Sequence, residues 1–171
     1  MEKKVVFVSV PMKGKDDALI ERSIQLAKVQ YCHIKKVNAE NVIFVDGFHN
    51  VYQKYSDTEK ELIAMEKNEA IYWLGNSIAL MCQVDEVIFA QGWEHARGCN
   101  IEEQVANNYG IPMIKMTKVK SAEILAEMRA QNKKKVKKLW KDDKLSIKEI
   151  AKRTKFPEST ICKWCEEIDK E

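Results

Sequence analysis

Proline and glycine are scarce in this 171-residue chain, at three and six, and no stretch is long and apolar enough to span a membrane. The segment MEKKVVFVSVPMKGK has too short an apolar run for a signal peptide, and charge returns at once. The five cysteines are odd in number and scattered, which does not fit a disulfide framework. The expected setting is cytoplasmic, with reduced thiols and no membrane partner. Missing too is any G-x-G-x-x-G or P-loop, so neither a dinucleotide cofactor nor a nucleoside triphosphatase is indicated. No cysteine and histidine spacing points to zinc catalysis, and no metal or cofactor is expected. Cys162 and Cys165 form a lone C-x-x-C inside an expected helix, where two small buried residues are the simpler reading.

What the chain does contain is 45% hydrophobic and 32% charged residues, the composition of a globular protein with room for one ordinary domain and a small accessory one. The net charge of +3 is small, but its distribution is uneven. Residues 132–171 hold 13 Lys and Arg against 8 Asp and Glu, whereas the first 131 residues hold 16 against 18. A basic tail on a mildly acidic body is the asymmetry of a nucleic-acid-contacting appendage.

Strand and helix signals alternate along the body. VVFVSV (5–10), NVIFVDG (41–47), VDEVIFA (84–90) and IPMIKM (111–116) read as buried strands. Helical patterns fill 16–36, 56–83 (with a break near Lys67–Asn68 or at Gly75) and 100–109. This alternation predicts an α/β fold, a flavodoxin-like or Rossmann-like parallel sheet of four or five strands in the order 2-1-3-4. Right-handed crossovers then gather PMKG, DGFHN and QGWEHARGCNIEE at one rim, where ligands bind in open sheets.

Two adjacent glutamates stand in that last segment. Ile101, Val105, Ala106 and Tyr109 form an apolar stripe, from which Glu103 lies about 200° away and should face water. Glu102 lies about 100° away, in what the pattern makes the first helical turn. There the helix dipole would keep it ionised, and an ionised carboxylate beside a sugar suits attack at an anomeric carbon. The simpler reading is that acidic residues favour first turns for dipole reasons alone. Asp46 either bonds a ribose hydroxyl or delivers a proton to a leaving base, or only forms an Asp-Gly turn. Trp93, Phe48 and Met12 would sandwich a base, or cap the core. His49 and His95 are candidate proton carriers, although surface histidines are commoner. Asp85, at the far end of its strand, reads as structural.

FVSVPMKG and VDEVIFAQGWEHARGCNIEEQVANNYGIPMI together resemble the nucleoside 2-deoxyribosyltransferase superfamily. They are most similar to a phage and bacterial branch with S-G-P-M-x-G near the start and D-x-[apolar]₃-x-G-W-x-x-S-x-G-[AC]-x-x-E later. The resemblance covers about residues 4–117 and implies cleavage or exchange of an N-glycosidic bond in a (deoxy)nucleoside or nucleoside monophosphate. It also implies a homo-oligomer, and it places the nucleophile on Glu102. The two motifs bring Ser9, Gly14, Arg97 and Gly98 to the substrate. Where that pattern has serine, this chain has Ala96, and where it has the first glycine, Val10. Arg97 and the backbone around Gly98 would then receive an anion in place of the lost hydroxyl. A competing reading is a silent relative, in which the rim senses a nucleotide without chemistry.

LSIKEIAKRTKFPESTICKWC, over about residues 132–168, is similar to a resolvase-type helix-turn-helix, with Ala151 at the crossing and Ile161 locking the second helix. The usual turn glycine is Lys155, which must then tolerate an unfavourable backbone conformation or a wider turn. The resemblance implies duplex DNA as partner, with Lys134, Lys138, Ser159, Thr160 and Lys163 as candidate contacts. A packing or dimerisation module is the alternative. The expected organisation is an α/β domain over 1–118, a connecting helix over 119–131 and the module over 132–171.

Overall fold

In the computed structural model, which describes residues 3–170, the elements run β1 (Lys4–Ser9), α1 (Asp17–Lys35), β2 (Val42–Asp46), α2 (Asp57–Ala64), α3 (Glu69–Leu80), β3 (Glu86–Phe89), α4 (Arg97–Asn108), β4 (Met113–Lys115), α5 (Lys118–Lys137), α6 (Ile147–Thr154) and α7 (Glu158–Asp169). The chain divides into two compact units between Ala122 and Glu123, inside α5. No helix among the described residues is long and apolar enough to cross a membrane.

In the first unit all strand pairs are parallel and the order is β2-β1-β3-β4, as the alternation predicts. The β-branched run of β1 lies in the centre because it can be buried on both faces. Val6, Phe7, Val8 and Ser9 are each no more than 1% exposed. Each buried apolar side chain of this size contributes about 1.5–3 kcal/mol. Side chains alternate across a strand. Register therefore puts Val8, Asp46, Glu86 and Ile88 on the face covered by α1, where Tyr31 of α1 donates to Glu86 at 2.9 Å. The opposite face carries Phe7, Val87 and Phe89, which form a core cluster with Met81 and with Cys99 and Ala106 of α4.

Local chemistry sets the helix ends. Asp16 accepts from Leu19 N at 2.8 Å to cap α1, and Ser56 with Glu59 forms a capping box at the start of α2. The helical region expected over 56–83 breaks at Met65–Asn68, where Asn68 leaves helical geometry, while Gly75 stays inside α3. Asp85 accepts from Val5 N at 2.7 Å and ties β3 to β1, in keeping with a structural role.

The second unit is helical. Val136, Ile150, Ile161, Trp164, Cys165 and Ile168 form its buried cluster, with Ile147 and Ala151 packed against them. Another capping box, Ser146 with Glu149, starts α6. Lys155 ends it in the left-handed region at φ 61° and ψ 19°, the strained conformation expected of a residue standing where glycine is usual. A left-handed L-residue costs roughly 1–2 kcal/mol, and glycine gives back part of that through unfolded-chain entropy. Lys155→Gly should therefore stabilise the unit by about 1 kcal/mol, read as a higher urea midpoint at unchanged slope.

Candidate functional site

The carboxyl ends of β1, β2 and β3 lie along one rim. After β3 the chain bends at Gly92, whose φ of +88° suits glycine, passes a short 3-10 turn at Trp93–His95 and enters α4 at Arg97. Ala96 precedes the helix and offers no side-chain cap. The helix thus starts three residues earlier than its apolar pattern suggests. Glu102 stands in its second turn, beyond the reach of the dipole, which fades within the first.

This shifts the buried face. Cys99, Glu102 and Ala106 are the buried residues of α4, spaced three and four apart, whereas Tyr109, expected in the stripe, is 81% exposed. Glu102 is therefore inside the layer between helix and sheet, 7% exposed, and its Oε2 accepts from Ser9 Oγ at 2.6 Å. Burial pushes its carboxyl up to about 7, against the pull of the Ser9 bond. The expectation of a dipole-ionised glutamate is thus corrected: at neutral pH both protonation states are populated. Burial, and Glu102 beside it, push the Cys99 thiol up to about 12. Glu103 does not simply face water. It is half-buried and pairs with Lys115, whose Nζ stands 5.2 Å from the Trp93 ring centroid.

Asp46 is also buried, at 1%, but on the α1 face. It accepts from His49 N at 2.7 Å, its Oδ2 is 3.0 Å from His49 Nδ1, and Lys28 Nζ of α1 lies 3.8 Å away. His49 Nε2 in turn is 2.7 Å from Glu21 of α1. The structure thus brings Ser9 to Glu102 and places Asp46 with His49 across the sheet from them.

The other expected ligand groups are dispersed along the rim. Phe48 is buried and stacks on Tyr52 with ring centroids 6.0 Å apart. Trp93 is half-buried with its ring 5.4 Å from Phe89, and its Nε1 is buried without a partner. Met12 is half-buried, while Gly14 and Arg97 are exposed. A Cβ on Gly98 would make ordinary contact with Leu74 at 3.9 Å. His95 is exposed. Sequence reading missed an aromatic cluster in which Tyr52 and Tyr55, after β2, meet Tyr72 and Trp73 of α3. Tyr55 and Tyr72 join through their hydroxyls at 2.7 Å. Only the separation of these residues in sequence hid it.

A cleft of about 550 Å³ opens between α2 and α3, lined by Leu62, Ile63, Ile71 and Tyr72 among others. A second, of about 360 Å³, is lined by Asn50, Lys54, Asn76 and Gln83 among others. Glu102 lines neither. No group of three His, Cys, Asp or Glu among the described residues is placed to hold a metal ion.

In the second unit Lys134, Lys138, Ser159 and Lys163 are exposed and Thr160 is half-buried. Glu158 and Glu166 are exposed on α7 as well, and Glu167 pairs with Lys133 at 3.4 Å. Cys165 is buried and Cys162 half-buried. No protein-family model, curated protein or solved structure matches the chain.

Glu102 has a direct consequence for stability. Its raised pKa means that the folded state holds the proton more tightly, so stability is full below about 4.5 and falls as pH rises to about 7. The upper bound on that loss is about 3 kcal/mol. Glu102→Gln should match the wild type near pH 4.5 and exceed it at pH 8, measured by thermal melting at both. Equal melting at pH 8 would show that Glu102 is not buried as a charge.

Proposed function

We propose that the first unit cleaves or exchanges an N-glycosidic bond of a (deoxy)nucleoside or nucleoside monophosphate, with Glu102 as nucleophile. The observation that carries this reading is a buried carboxyl at the strand ends whose hydrogen-bonding partner among the described residues is a single hydroxyl. The sheet order supports a flavodoxin-like or Rossmann-like assignment, in which such a rim is the ligand side. The reading joins this to the deoxyribosyltransferase-like motifs, whose glutamate falls on the same residue.

In the proposed reaction the ionised carboxylate forms a bond to the anomeric carbon. The C–N bond breaks, and the base leaves with the electron pair and takes a proton from solvent. Water, or the nitrogen of a second base, then attacks the same carbon, releases the carboxylate and gives up a proton. With its pKa raised to about 7, Glu102 becomes the ionised nucleophile this step needs only as pH rises through neutrality. Asp46, turned toward α1, has no part in this sequence. Because Glu102 is 7% exposed, a sugar reaches it only if the segments after β1 or β3 move aside.

Two features favour a second reading, a nucleotide sensor without turnover: that same closure, and Ala96 in place of serine. Base release from deoxynucleosides and their monophosphates, with and without an acceptor base, separates the two. The enzyme reading expects turnover that rises with pH through about 7 and falls on the order of a thousandfold in Glu102→Gln. Thermal stabilisation by the same compounds without turnover would establish the sensor.

We also infer that α6 and α7 are a helix-turn-helix contacting duplex DNA. Exposed Lys134, Lys138 and Lys163 support this, whereas Glu158 and Glu166 oppose it. Each lysine on a phosphate adds roughly 0.9 to the slope of log affinity against log salt. Lys134→Glu, Lys138→Glu and Lys163→Glu combined in the full chain should lower that slope by about 2 to 3. An unchanged slope would leave assembly as the module's role.

A further inference from the structure

Ser9 ends the central strand β1, whose last four residues are buried, and its side chain lies on the face toward α4. At 1% exposure it has no free surface to offer a ligand, and its one proton is already directed at Glu102 Oε2, 2.6 Å away. Among the described residues Ser9 is the one hydrogen-bonding partner of this carboxylate. The Cys99 thiol stands one turn back on α4, buried on the same face.

We propose that Ser9 is a positioning residue that holds Glu102 through Oε2 and leaves Oε1 as the oxygen that meets the anomeric carbon. The proposal rests on the reading of Glu102 as nucleophile. It replaces the expectation, drawn from the motif alone, that Ser9 binds substrate. A serine is suited to the task because its hydroxyl is one bond from a Cβ fixed in the central strand. The hydrogen bond therefore orders the longer glutamate side chain at little entropic cost. It also favours the ionised carboxyl, in opposition to burial. The bond thus fixes the rotamer and shifts the carboxyl toward the ionised form that attack requires, through a group that never touches the sugar.

The test reads Glu102 directly. In protein labelled with ¹³C-glutamate, the side-chain carboxyl of Glu102 is assigned by its loss in Glu102→Gln and titrated by NMR in wild type, Ser9→Ala and Ser9→Thr. The expected result is a midpoint raised by about one pH unit in Ser9→Ala and kept in Ser9→Thr. Should Ser9→Ala not fold, Ser9→Cys, a weaker donor of similar size, is expected to raise the midpoint as well. In base release the acidic limb moves with the NMR midpoint, and kcat falls about tenfold with KM unchanged. An unmoved midpoint overturns the proposal, as does a raised KM with unchanged kcat, which would make Ser9 a substrate contact. A wild type without turnover overturns the N-glycosidic reading instead, and the titration still decides whether Ser9 governs Glu102.

Discussion

A carboxyl group is enclosed between a parallel sheet and its covering helix with one hydroxyl among the described residues as its hydrogen-bonding partner, and the proposed chemistry depends on that enclosure. Removing a carboxylate from water is costly unless cations or several donors replace the lost hydration. Glu86 and Asp46 show how the same sheet meets that requirement elsewhere. Burial pushes the Glu86 carboxyl up, but bonds from Lys35, Lys4 and Tyr31 outweigh it and hold the group below the ordinary glutamate value. Asp46 has His49, Lys28 and a backbone N–H. Glu102 has Ser9.

That contrast sets Glu102 apart from Glu86 and Asp46 more sharply than burial does. A group whose role is to fasten α1 to the sheet gains from full neutralisation, and Glu86 joins both ends of α1's last turns to β1 and β3 in this way. A group that must attack an electrophile gains from the opposite, a poorly satisfied oxygen with a pKa near the working pH. The instability that Glu102 introduces above neutrality is the expected companion of such a site. The rest of the sheet offsets it with the burial of all of β3 and of the last four residues of β1.

Much of this was legible in the sequence, because periodicity registers what is buried. Four apolar runs marked four strands, the expected order 2-1-3-4 matches the sheet, and the left-handed backbone at Lys155 is one of the two outcomes open to a lysine at that turn. Glu102 was identified as the residue of interest, but its environment was not, because the start of α4 was misplaced. The apolar pattern begins at Ile101, whereas the helix begins at Arg97, with Gly98 and Cys99 already inside it. Reading Cys99, Glu102 and Ala106 as one stripe would have required counting a glutamate as a core residue. The capping boxes Ser56 with Glu59 and Ser146 with Glu149 were within reach of a pattern search. The aromatic cluster around Trp73 was not, since it depends on how the segment after β2 folds back on α3.

The separation of Asp46 from Glu102 comes down to a single step of strand register. Val8 pairs with Asp46 and Ser9 with Phe89, so neighbouring residues of β1 serve opposite faces. A motif that names residues along a rim cannot distinguish these faces, because alternation appears only once the strands are paired. The two carboxylates that sequence reading assigned to one reaction are therefore divided by the sheet itself. Any acid that assists the leaving base must come from the α4 side, from the rim segments or from solvent. On that side Glu102 accepts from the Ser9 hydroxyl and lies beside the Cys99 thiol, which burial and Glu102 push up to about 12 while the charge of Lys15 pulls it the other way.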